Sequence, residues 1–438
     1  MAQFLVTAFG AAGDGVTLDT APIQASLDAA AAAGGGTVVV PPGRFLAGSL
    51  HLGSGVELRL EAGAVLQCSG HWADITDRRV TSALSGGIVT PGQPPQGVFL
   101  AATGAVDVAV TGAGTIDGGG RFYVAEDRGD IYRMPAERPF TLFFEGCRNV
   151  RLAGVTLTDG ALWTVRLTGC ADVVAEGLSI RGHPLVPNAD GIDLDRCRRV
   201  VVRDCAIRTP DDAISLKATA EYDRYGACED ILVERCRLES KSAAVAFGAD
   251  AAGPIRRVTL RDLVIRRSNR GVSLKCCQAG DFEDIDAADL DIETETFPEP
   301  WWGRGEPLQI GVFPWQDETG AVRRVTFRRV RARAENGVNV AAWRPGLVED
   351  VLFEDVAVTL GKWTAEPGGL FDRRPYPGGE ELFPHAIAGF YIDQAADVTL
   401  RRCSAQWEDP RPPYAATDLV LSSTACHPGE SRDLSSGG

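Results

Sequence analysis

The feature that most constrains this chain is a short apolar pattern that recurs from Val150 almost to the C-terminus. Each copy places apolar residues at positions 1, 3, 6 and 8, as in Val150, Leu152, Val155 and Leu157. Later copies begin at Val173, Val200, Ile231, Val258, Ile285, Val325, Val351 and Val398. The intervals between first positions are 23, 27, 31, 27, 27, 40, 26 and 47 residues. Alternation with period two indicates strands, and recurrence at a longer period indicates stacked structural units.

A second strand is predicted in each repeat, downstream of the first pattern. Its apolar pairs are Ile192/Leu194, Ile214/Leu216, Val245/Phe247, Val272/Leu274, Leu308/Ile310 and Val338/Val340. Short strands repeating mostly every 23 to 31 residues are typical of a right-handed parallel β-helix, in which each coil buries apolar side chains by stacking on its neighbours. Leucine-rich repeats have similar lengths but need a helical or asparagine-ladder segment, which this sequence lacks. We therefore predict an all-β parallel β-helix.

The β-helix is predicted to form one domain over residues 1–425, because a solenoid grows by adding coils. Residues 1–70 are expected to supply an N-terminal cap and the first coils. Extra sequence in the repeat predicts inserted loops over residues 293–320 and 361–390. Residues 426–438 are polar and rich in glycine, which favours a disordered tail.

The N-terminal cap is predicted to contain a helix from Thr20 to Ala33. Asp19 or Thr20 stands where a capping side chain is expected, Pro22 fits the first turn, and Gly34 ends the pattern. Such a helix would shield the open edge of the first coil from pairing with other strands.

Composition excludes some classes of protein. The net charge of −15 argues against a nucleic-acid partner. No apolar stretch is long enough to span a membrane, so no membrane association is expected. The sequence indicates no oligomeric state.

The eleven cysteines favour a reducing compartment. Several recur at one place in the repeat, as Cys205, Cys236 and Cys403 do, which is typical of reduced, buried thiols. Their spacing matches no zinc site, and we expect neither a metal nor a cofactor. No signal peptide is visible, so a cytoplasmic location is favoured; a secreted or periplasmic location remains open if a leader has been removed.

Three aspartates fall where stacking would bring them together. Asp190 lies in an Asn-Ala-Asp-Gly segment, and Asp211 and Asp212 lie in a Pro-Asp-Asp-Ala segment. Two places before the second strand of successive coils stand Asp190, Asp212, Ala243, Arg270, Glu306 and Asn336. Successive coils are about 4.8 Å apart, so Asp190 and Asp212 should be adjacent, with Asp211 beside them. The files that start at Asp193 and Asp195 are predicted to face outward.

Clustered carboxyl groups on a rigid surface suit acid–base hydrolysis of a sugar linkage. Neighbouring like charges raise one pKa, which allows a site to hold an acid and a base together. A single Asp-Gly or Pro-Asp pair is more often simple turn chemistry. The convergence of three aspartates on one face favours function instead.

At these residues the chain resembles glycoside hydrolase family 28, the polygalacturonase-like enzymes. The N-terminal segment from Ala8 to Gly15 also looks like the leader of such β-helix proteins, although lyases and phage proteins share it. The resemblance implies that Asp211 is the general acid and that Asp190 and Asp212 hold and deprotonate the attacking water. It further implies inversion at the anomeric carbon, for which carboxyl groups roughly 6.5–9.5 Å apart are expected.

The chain departs from the polygalacturonase pattern at two places. Ser242-Ala243-Ala244 stands where the family has Gly-His-Gly, and Ser273-Leu274-Lys275 stands where it has Arg-x-Lys. The arginine that grips a galacturonate carboxylate is therefore missing, which puts activity on unbranched polygalacturonate in doubt. The residues predicted to bind substrate are Asn188, Lys275, Arg270, Lys217, Trp163, His183, Trp301, Trp302 and Glu306.

The sequence therefore predicts an inverting glycoside hydrolase that acts on an oligo- or polysaccharide, with uronic acid or rhamnose as candidate sugars. Two other classes remain open. A calcium-dependent polysaccharide lyase would use the carboxylates as a metal cluster and Lys275 or Arg270 as the base. A noncatalytic carbohydrate-binding β-helix would use the same face without hydrolysis.

Overall fold

The computed structural model describes residues 2–86, 89–315, 318–417, 420–422 and 427–428. The chain divides into two compact units, which consist of Met1–Ser215 with Glu221–Gly226 and of Leu216–Ala220 with Ala227–Gly438. Both units are built mainly from short parallel strands, and the all-β, right-handed parallel β-helix expected from the repeat is confirmed. The single domain over residues 1–425 stays a prediction.

The first unit contains two series of strands. The first series comprises Gln3–Leu5, Asp14–Leu18, Gly36–Val40, Gly43–Ala47, Val56–Leu60, Ala64–Cys68, Val106–Gly112, Thr115–Asp117, Arg148–Ala153, Thr156–Thr158, Ala171–Glu176, Ser179–Arg181, Arg198–Arg203 and Ala206–Thr209. The second series comprises Leu50–His51, Arg78–Arg79, Gln96–Thr103, Pro139–Glu145, Val165–Thr168, Ile192–Asp195 and Ile214–Ala218, the last of which runs into the second unit. A small antiparallel hairpin joins Glu126–Asp127 and Tyr132–Arg133. Short 3-10 turns lie at Val6–Phe9, Trp72–Asp74, Ser82–Leu84, Gly120–Tyr123 and Ala220–Tyr225.

The second unit repeats this organisation with longer strands. Its first series comprises Cys228–Glu234, Arg237–Ser240, Ile255–Ser268, Phe282–Thr294, Val322–Ala334, Val348–Leu360, Ala396–Arg401, Ser404–Trp407 and His427–Pro428. Its second series comprises Ala243–Ala251, Arg270–Cys276, Glu306–Val312, Val338–Ala342, Phe390–Asp393 and Val420–Ser422. The predicted loop over residues 361–390 contains an antiparallel hairpin of Leu370–Asp372 and Leu382–Pro384. The predicted disordered tail over residues 426–438 lies outside the described residues, except for His427 and Pro428.

The α-helix of the described residues is Thr20–Ala32, one residue shorter than predicted. The predicted side-chain cap is wrong. The Asp19 carboxylate accepts a hydrogen bond from the main-chain N–H of Gly13 at 3.0 Å instead. The hydroxyl of Thr20 likewise accepts from the N–H of Gly48 at 2.8 Å. Both polar side chains therefore hold neighbouring loops rather than the helix end. No described helix is long and apolar enough to cross a bilayer.

The predicted vertical files are confirmed within each unit. In the first unit, Val150 pairs with Val173 of the next coil. In the second unit, Ala243 pairs with Arg270, and Arg270 pairs with Glu306. Residues at equal positions of the repeat therefore lie directly above one another, as the counting from the second strand predicted.

The files starting at Asp193 and Asp195 were predicted to face outward, but these two side chains are not exposed to solvent. Both side chains are fully buried. The neighbouring strand contributes Arg166, which pairs in register with Asp193 and is also fully buried. Glu221 forms an ion pair with Arg166 at 3.0 Å, and the ring of Tyr222 lies 5.2 Å from its guanidinium carbon. The segment that carries these two residues covers the outer face of the strands, which the repeat pattern does not reveal.

Charged residues with positive φ recur at the second or third position of first-series strands, and we call this set the charge ladder. It comprises Asp172 and Arg199 in the first unit and Asp230, Arg257, Asp284 and Arg324 in the second. In three successive pairs, the arginine Nε donates to the aspartate of the preceding coil at 2.6 to 2.7 Å. Positive φ is uncommon for residues other than glycine, so these charges occupy positions that the backbone alone does not favour.

The cysteines lie mainly in the core. Ten are described, all with free thiols, and nine of them are buried. Several thiols donate hydrogen bonds to main-chain oxygens. The thiol of Cys197, for example, donates to Leu167 O at 3.2 Å. Burial raises the pKa of the Cys170 thiol well above its usual value. These thiols therefore behave as small apolar residues, as predicted.

Candidate active site

Two turns of the first unit carry the candidate catalytic aspartates. The first turn leads into Ile192–Asp195 and the second into Ile214–Ala218. The N–H of Gly191 donates to the main-chain oxygen of Asp212 at 2.9 Å, so the two turns lie one coil apart. A Cβ atom at Gly191 would meet a main-chain oxygen of the next coil at 2.3 Å, which explains why glycine follows Asp190.

The three aspartates converge as the repeat predicted. One carboxylate oxygen from each of Asp190, Asp211 and Asp212 lies within 4.8 Å of the others. Asp190 and Asp212 are 3% and 6% exposed, whereas Asp211 is half-buried. Asp211 is therefore the carboxyl group that a bulky ligand reaches most easily.

The spacing is tighter than the roughly 6.5–9.5 Å expected for an inverting pair. Because 4.8 Å also falls below the roughly 5–5.5 Å typical of retaining pairs, this distance does not select the stereochemical outcome. The three oxygens are also close enough to hold a divalent cation. The arrangement can thus support acid–base chemistry or cation binding.

Backbone groups hold the carboxylate of Asp211 from two sides. The N–H of Asn188 donates to Oδ2 at 3.0 Å, and the N–H of Asp212 donates to Oδ1 at 3.0 Å. The Thr209 hydroxyl fixes the same turn by donating to the main-chain oxygen of Asp211 at 2.8 Å. Asn188 has φ of 55°, a conformation that asparagine tolerates better than most residues. The predicted substrate-binding residue Asn188 therefore contacts the proposed acid through its backbone.

Arg138 lies behind this turn and was not among the predicted site residues. Its Nη2 donates to Asn188 Oδ1 at 3.1 Å, and its Nη1 donates to the main-chain oxygens of Ala161 and Pro187 at 3.0 Å each. Arg138 precedes a strand and belongs to no recognisable motif, so no sequence signal marks it.

The other predicted ligands of the first unit occupy two different environments. His183 is half-buried and stacks on Tyr132 with ring centroids 5.1 Å apart. It lies shortly before the turn that carries Asp190. Trp163 is 2% exposed and lies 4.8 Å from the guanidinium carbon of Arg166. His183 keeps an accessible edge, whereas Trp163 is part of the core in this structure.

Lys217 and Lys275 of the second unit are both buried. Lys217 Nζ lies 3.5 Å from Asp250 Oδ2, and Lys275 Nζ lies 5.1 Å from the ring centroid of Trp302. Trp302 itself is half-buried and makes an edge contact with Trp315. Of the two predicted tryptophan ligands of this unit, Trp302 is the more exposed.

Arg270, Glu306 and Trp301 are placed in the interior of the second unit. Arg270 Nε lies 3.3 Å from Glu306 Oε2, and both side chains are at most 1% exposed. Trp301 is 3% exposed, with Lys241 Nζ at 5.2 Å from its ring. In this conformation none of the three reaches a ligand, and their contacts are structural. The predicted file was correct, but the burial of Arg270 and Glu306 was not foreseen.

A buried carboxylate that we did not predict completes this network. Asp372, in the hairpin of the inserted loop, accepts from the N–H of Gly303 at 2.7 Å and from Arg374 Nη2 at 2.7 Å. Arg270 Nη2 lies 3.9 Å from the same carboxylate. Asp372 thereby ties the two predicted inserted loops together. Its position, about a hundred residues from Arg270 in sequence, could not be inferred from the repeat.

Known proteins resemble this chain in sequence and in fold. The model of glycosyl hydrolases family 28 matches residues 38–285. A probable polygalacturonase of Vitis vinifera is 30% identical over 281 residues, which cover 61% of this chain and 55% of that protein. The chain thus spans about half the length of the curated relatives it matches.

Two solved structures resemble the fold. An exopolygalacturonase from Thermotoga maritima has a TM-score of 0.71 at 21% identity and covers 92% of this chain and 91% of its own. A family 28 exopolygalacturonase from Yersinia enterocolitica has a TM-score of 0.63 at 16% identity and covers 91% of this chain and 78% of its own. At these identities the likeness concerns the fold alone.

Proposed function

We propose, on the premise that this chain belongs to glycosyl hydrolases family 28, that it hydrolyses glycosidic bonds in a pectin-like oligo- or polysaccharide. The observation that carries the proposal is the convergence of Asp190, Asp211 and Asp212 within 4.8 Å. The relative from Vitis vinifera is named a probable polygalacturonase, which supports a pectin-like substrate.

Asp211 is assigned as the general acid because it is the most accessible of the three carboxyl groups. In its protonated form it gives its proton to the glycosidic oxygen while the bond from that oxygen to the anomeric carbon breaks. The bonding electrons stay with the leaving oxygen, which departs as an alcohol. The negative charges of Asp190 and Asp212 favour the protonated form of a third carboxyl group beside them.

Asp190 and Asp212 are assigned to the attacking water. One of them accepts a proton as the water oxygen bonds to the anomeric carbon. Attack opposite the leaving group inverts the anomeric configuration. Proton NMR of the first-formed product tests this step, because inversion and retention give opposite anomers before mutarotation.

The sugar in the site is proposed to include uronic acid or rhamnose units. Lys217 and Lys275 are the candidates that the sequence offers for binding a uronate carboxylate. Asp250 and Trp302 contact these lysines in the absence of substrate, so substrate would have to compete with or rearrange those contacts. Polygalacturonate, branched pectin fragments and rhamnose-containing oligosaccharides should therefore be compared as substrates.

The experiment is a reducing-sugar assay with the wild type, Asp211→Asn and the matched control Asp172→Asn. Asp172 is 40% exposed and belongs to the charge ladder, so its variant should keep wild-type activity. General acids contribute about 100- to 10,000-fold, so Asp211→Asn should lose at least about 100-fold in kcat. Equal activity of Asp211→Asn and the wild type would remove Asp211 from the mechanism.

Calcium-dependent elimination is the second candidate, because the three carboxylate oxygens are close enough to hold a cation. A lyase forms an unsaturated product that absorbs ultraviolet light and loses activity with a chelator. We expect neither effect. Ultraviolet absorbance that appears only with calcium would replace hydrolysis by elimination. Carbohydrate binding without any product would favour the noncatalytic alternative.

A reducing compartment, with the cytoplasm favoured, is the proposed location. The buried thiols of Cys147, Cys170 and Cys197 support it, since such files of thiols suit a compartment that keeps them reduced. The protein isolated from its native cells without reductant should expose eleven titratable thiols after denaturation. A lower count would show disulfides and argue for an oxidising location.

A further inference from the structure

A buried arginine stands behind the catalytic aspartates of the first unit. Arg138 is 2% exposed. Its Nε has no hydrogen-bond acceptor within the described residues. Its three hydrogen bonds go to neutral oxygens, namely those of Ala161, Pro187 and Asn188.

This environment is unfavourable for a charged group. Removing a guanidinium from water costs several kcal/mol unless an ion pair or full hydrogen bonding offsets it. Burial lowers the pKa of Arg138 to about 10, although the charges of Asp211 and Asp190 act in the opposite direction. The interaction with these two aspartates is therefore the electrostatic compensation that the site offers.

We propose that Arg138 is a positioning residue for the hydrolysis, one that holds the Asn188 turn so that the backbone of Asn188 fixes the carboxylate of Asp211. The inference rests on the proposed function, because it concerns the same acid. The chain of contacts is continuous. Arg138 Nη2 donates to Asn188 Oδ1 at 3.1 Å, and the Asn188 N–H donates to Asp211 Oδ2 at 3.0 Å.

The side chain also fixes the segment before the turn. Its Nη1 joins the main-chain oxygens of Ala161 and Pro187, which are 26 residues apart in sequence and lie in adjacent coils. A lysine would supply the charge but lacks the planar fork that reaches three acceptors at once. The geometry therefore calls for arginine rather than for any cation.

The positive charge has a second effect, on the ionisation of the aspartates. Asp190 faces it from the first turn and Asp211 from the second, with Asp212 beside them. A nearby cation favours the ionised form of a carboxyl group. Removal of the charge should therefore favour the protonated carboxyl groups and move the pH–activity profile to higher pH.

The test compares Arg138→Met and Arg138→Lys with the wild type and with the control Arg199→Met. Arg199 belongs to the charge ladder and is 48% exposed, so its variant should behave as the wild type. Arg138→Met should lose about 10- to 100-fold in kcat with KM within about twofold, because a misplaced acid affects the chemical step more than binding. Arg138→Lys should keep the pH profile of the wild type but regain only part of kcat.

Crystal structures of the Arg138 variants give a readout that does not need activity. In Arg138→Met the hydrogen bond from the Asn188 N–H to Asp211 should be lost or lengthened, whereas Arg199→Met should retain it. An intact bond, together with unchanged kcat and pH profile, would overturn the positioning role even if Asp211→Asn is inactive. If the wild type and Asp211→Asn are equally active, the proposed function itself fails, and a displaced Asn188 would leave Arg138 as an organiser of this turn only.

Discussion

Replacement of Asp372 by asparagine should remove a defined part of the acid sensitivity of the second unit. The Asp372 side chain is fully buried and accepts hydrogen bonds from Gly303 and from three nitrogens of Arg374, at 2.7 to 3.0 Å. Arg270 Nη2 stands 3.9 Å away. The neutral variant would leave the buried Arg270 and the largely buried Arg374 without the counter-charge that they share.

The pKa of Asp372 gives the magnitude. Burial on its own would raise that pKa, but the charge of Arg270 and the hydrogen bonds of Arg374 lower it from 3.8 to about 2. A carboxyl whose pKa is depressed by folding stabilises the fold above pH 3.8, and that contribution is lost as the pH falls through about 2. The difference of nearly two pKa units corresponds to about 2 kcal/mol.

The assay is the free energy of unfolding in urea between pH 2 and pH 7, for the wild type, Asp372→Asn and the control Asp289→Asn. Asp289 is 43% exposed and pairs with Arg329, so its loss should change stability by less than about 1 kcal/mol. At pH 7, Asp372→Asn should be less stable by about 3–5 kcal/mol, because Arg270 and Arg374 lose one carboxylate partner each and keep only Glu306 and Glu299 among the described residues.

From pH 4 down to pH 2 the wild type should lose about 2 kcal/mol more than Asp372→Asn. Comparing the two proteins isolates this carboxyl group from the other acids, which titrate in both. Parallel pH curves for the wild type and Asp372→Asn would refute the reasoning, since the depressed pKa would then be absent. A stable variant at pH 7 would show that Arg270 and Arg374 do not depend on Asp372.

Substitutions at three other places test the contacts of Trp302, Glu335 and Gly191. Trp302→Ala should raise KM about tenfold with little change in stability, whereas Trp301→Ala should destabilise the fold by about 3–5 kcal/mol, because Trp302 is half-buried and Trp301 is only 3% exposed. Steady-state kinetics and urea unfolding separate the two effects. Glu335→Gln should lower the free energy of unfolding by about 3 kcal/mol. The buried Glu335 carboxylate lies 2.9 Å from Lys362 Nζ and accepts hydrogen bonds from the N–H groups of Trp363 and Thr364. An unchanged free energy of unfolding would contradict this. Gly191→Ala should reduce kcat at least about tenfold, because its Cβ would meet a main-chain oxygen at 2.3 Å and displace the turn that carries Asp190, which is proposed to act on the attacking water. Wild-type kcat would refute this.

The repeat in the sequence predicted the register of the coils, and through it the cluster of Asp190, Asp211 and Asp212. This inference works because inward residues at a fixed period leave a single way to stack the strands. Counting from the second strand placed Arg270 beside Glu306, and the structure pairs them in register. Positions along a file are therefore readable from the sequence.

What covers a file is not readable from the same pattern. Asp193 and Asp195 were expected to face outward, but Glu221 and Tyr222 from a later turn cover that face. Arg270 was expected to reach substrate, but Asp372 closes over it from a distant loop. Arg138 was not predicted because its three hydrogen bonds go to residues distant in sequence and follow no sequence pattern. Burial by loops and long-range contacts thus limits prediction from the repeat.

The charge ladder has a consequence for how coils can be gained or lost. In the second unit, Asp230, Arg257, Asp284 and Arg324 alternate in sign, so the pairing has a period of two coils although the backbone has a period of one. Deleting one coil would set two aspartates or two arginines face to face, while deleting two would restore the alternation. Insertions or deletions of an even number of coils should therefore be tolerated better than those of an odd number.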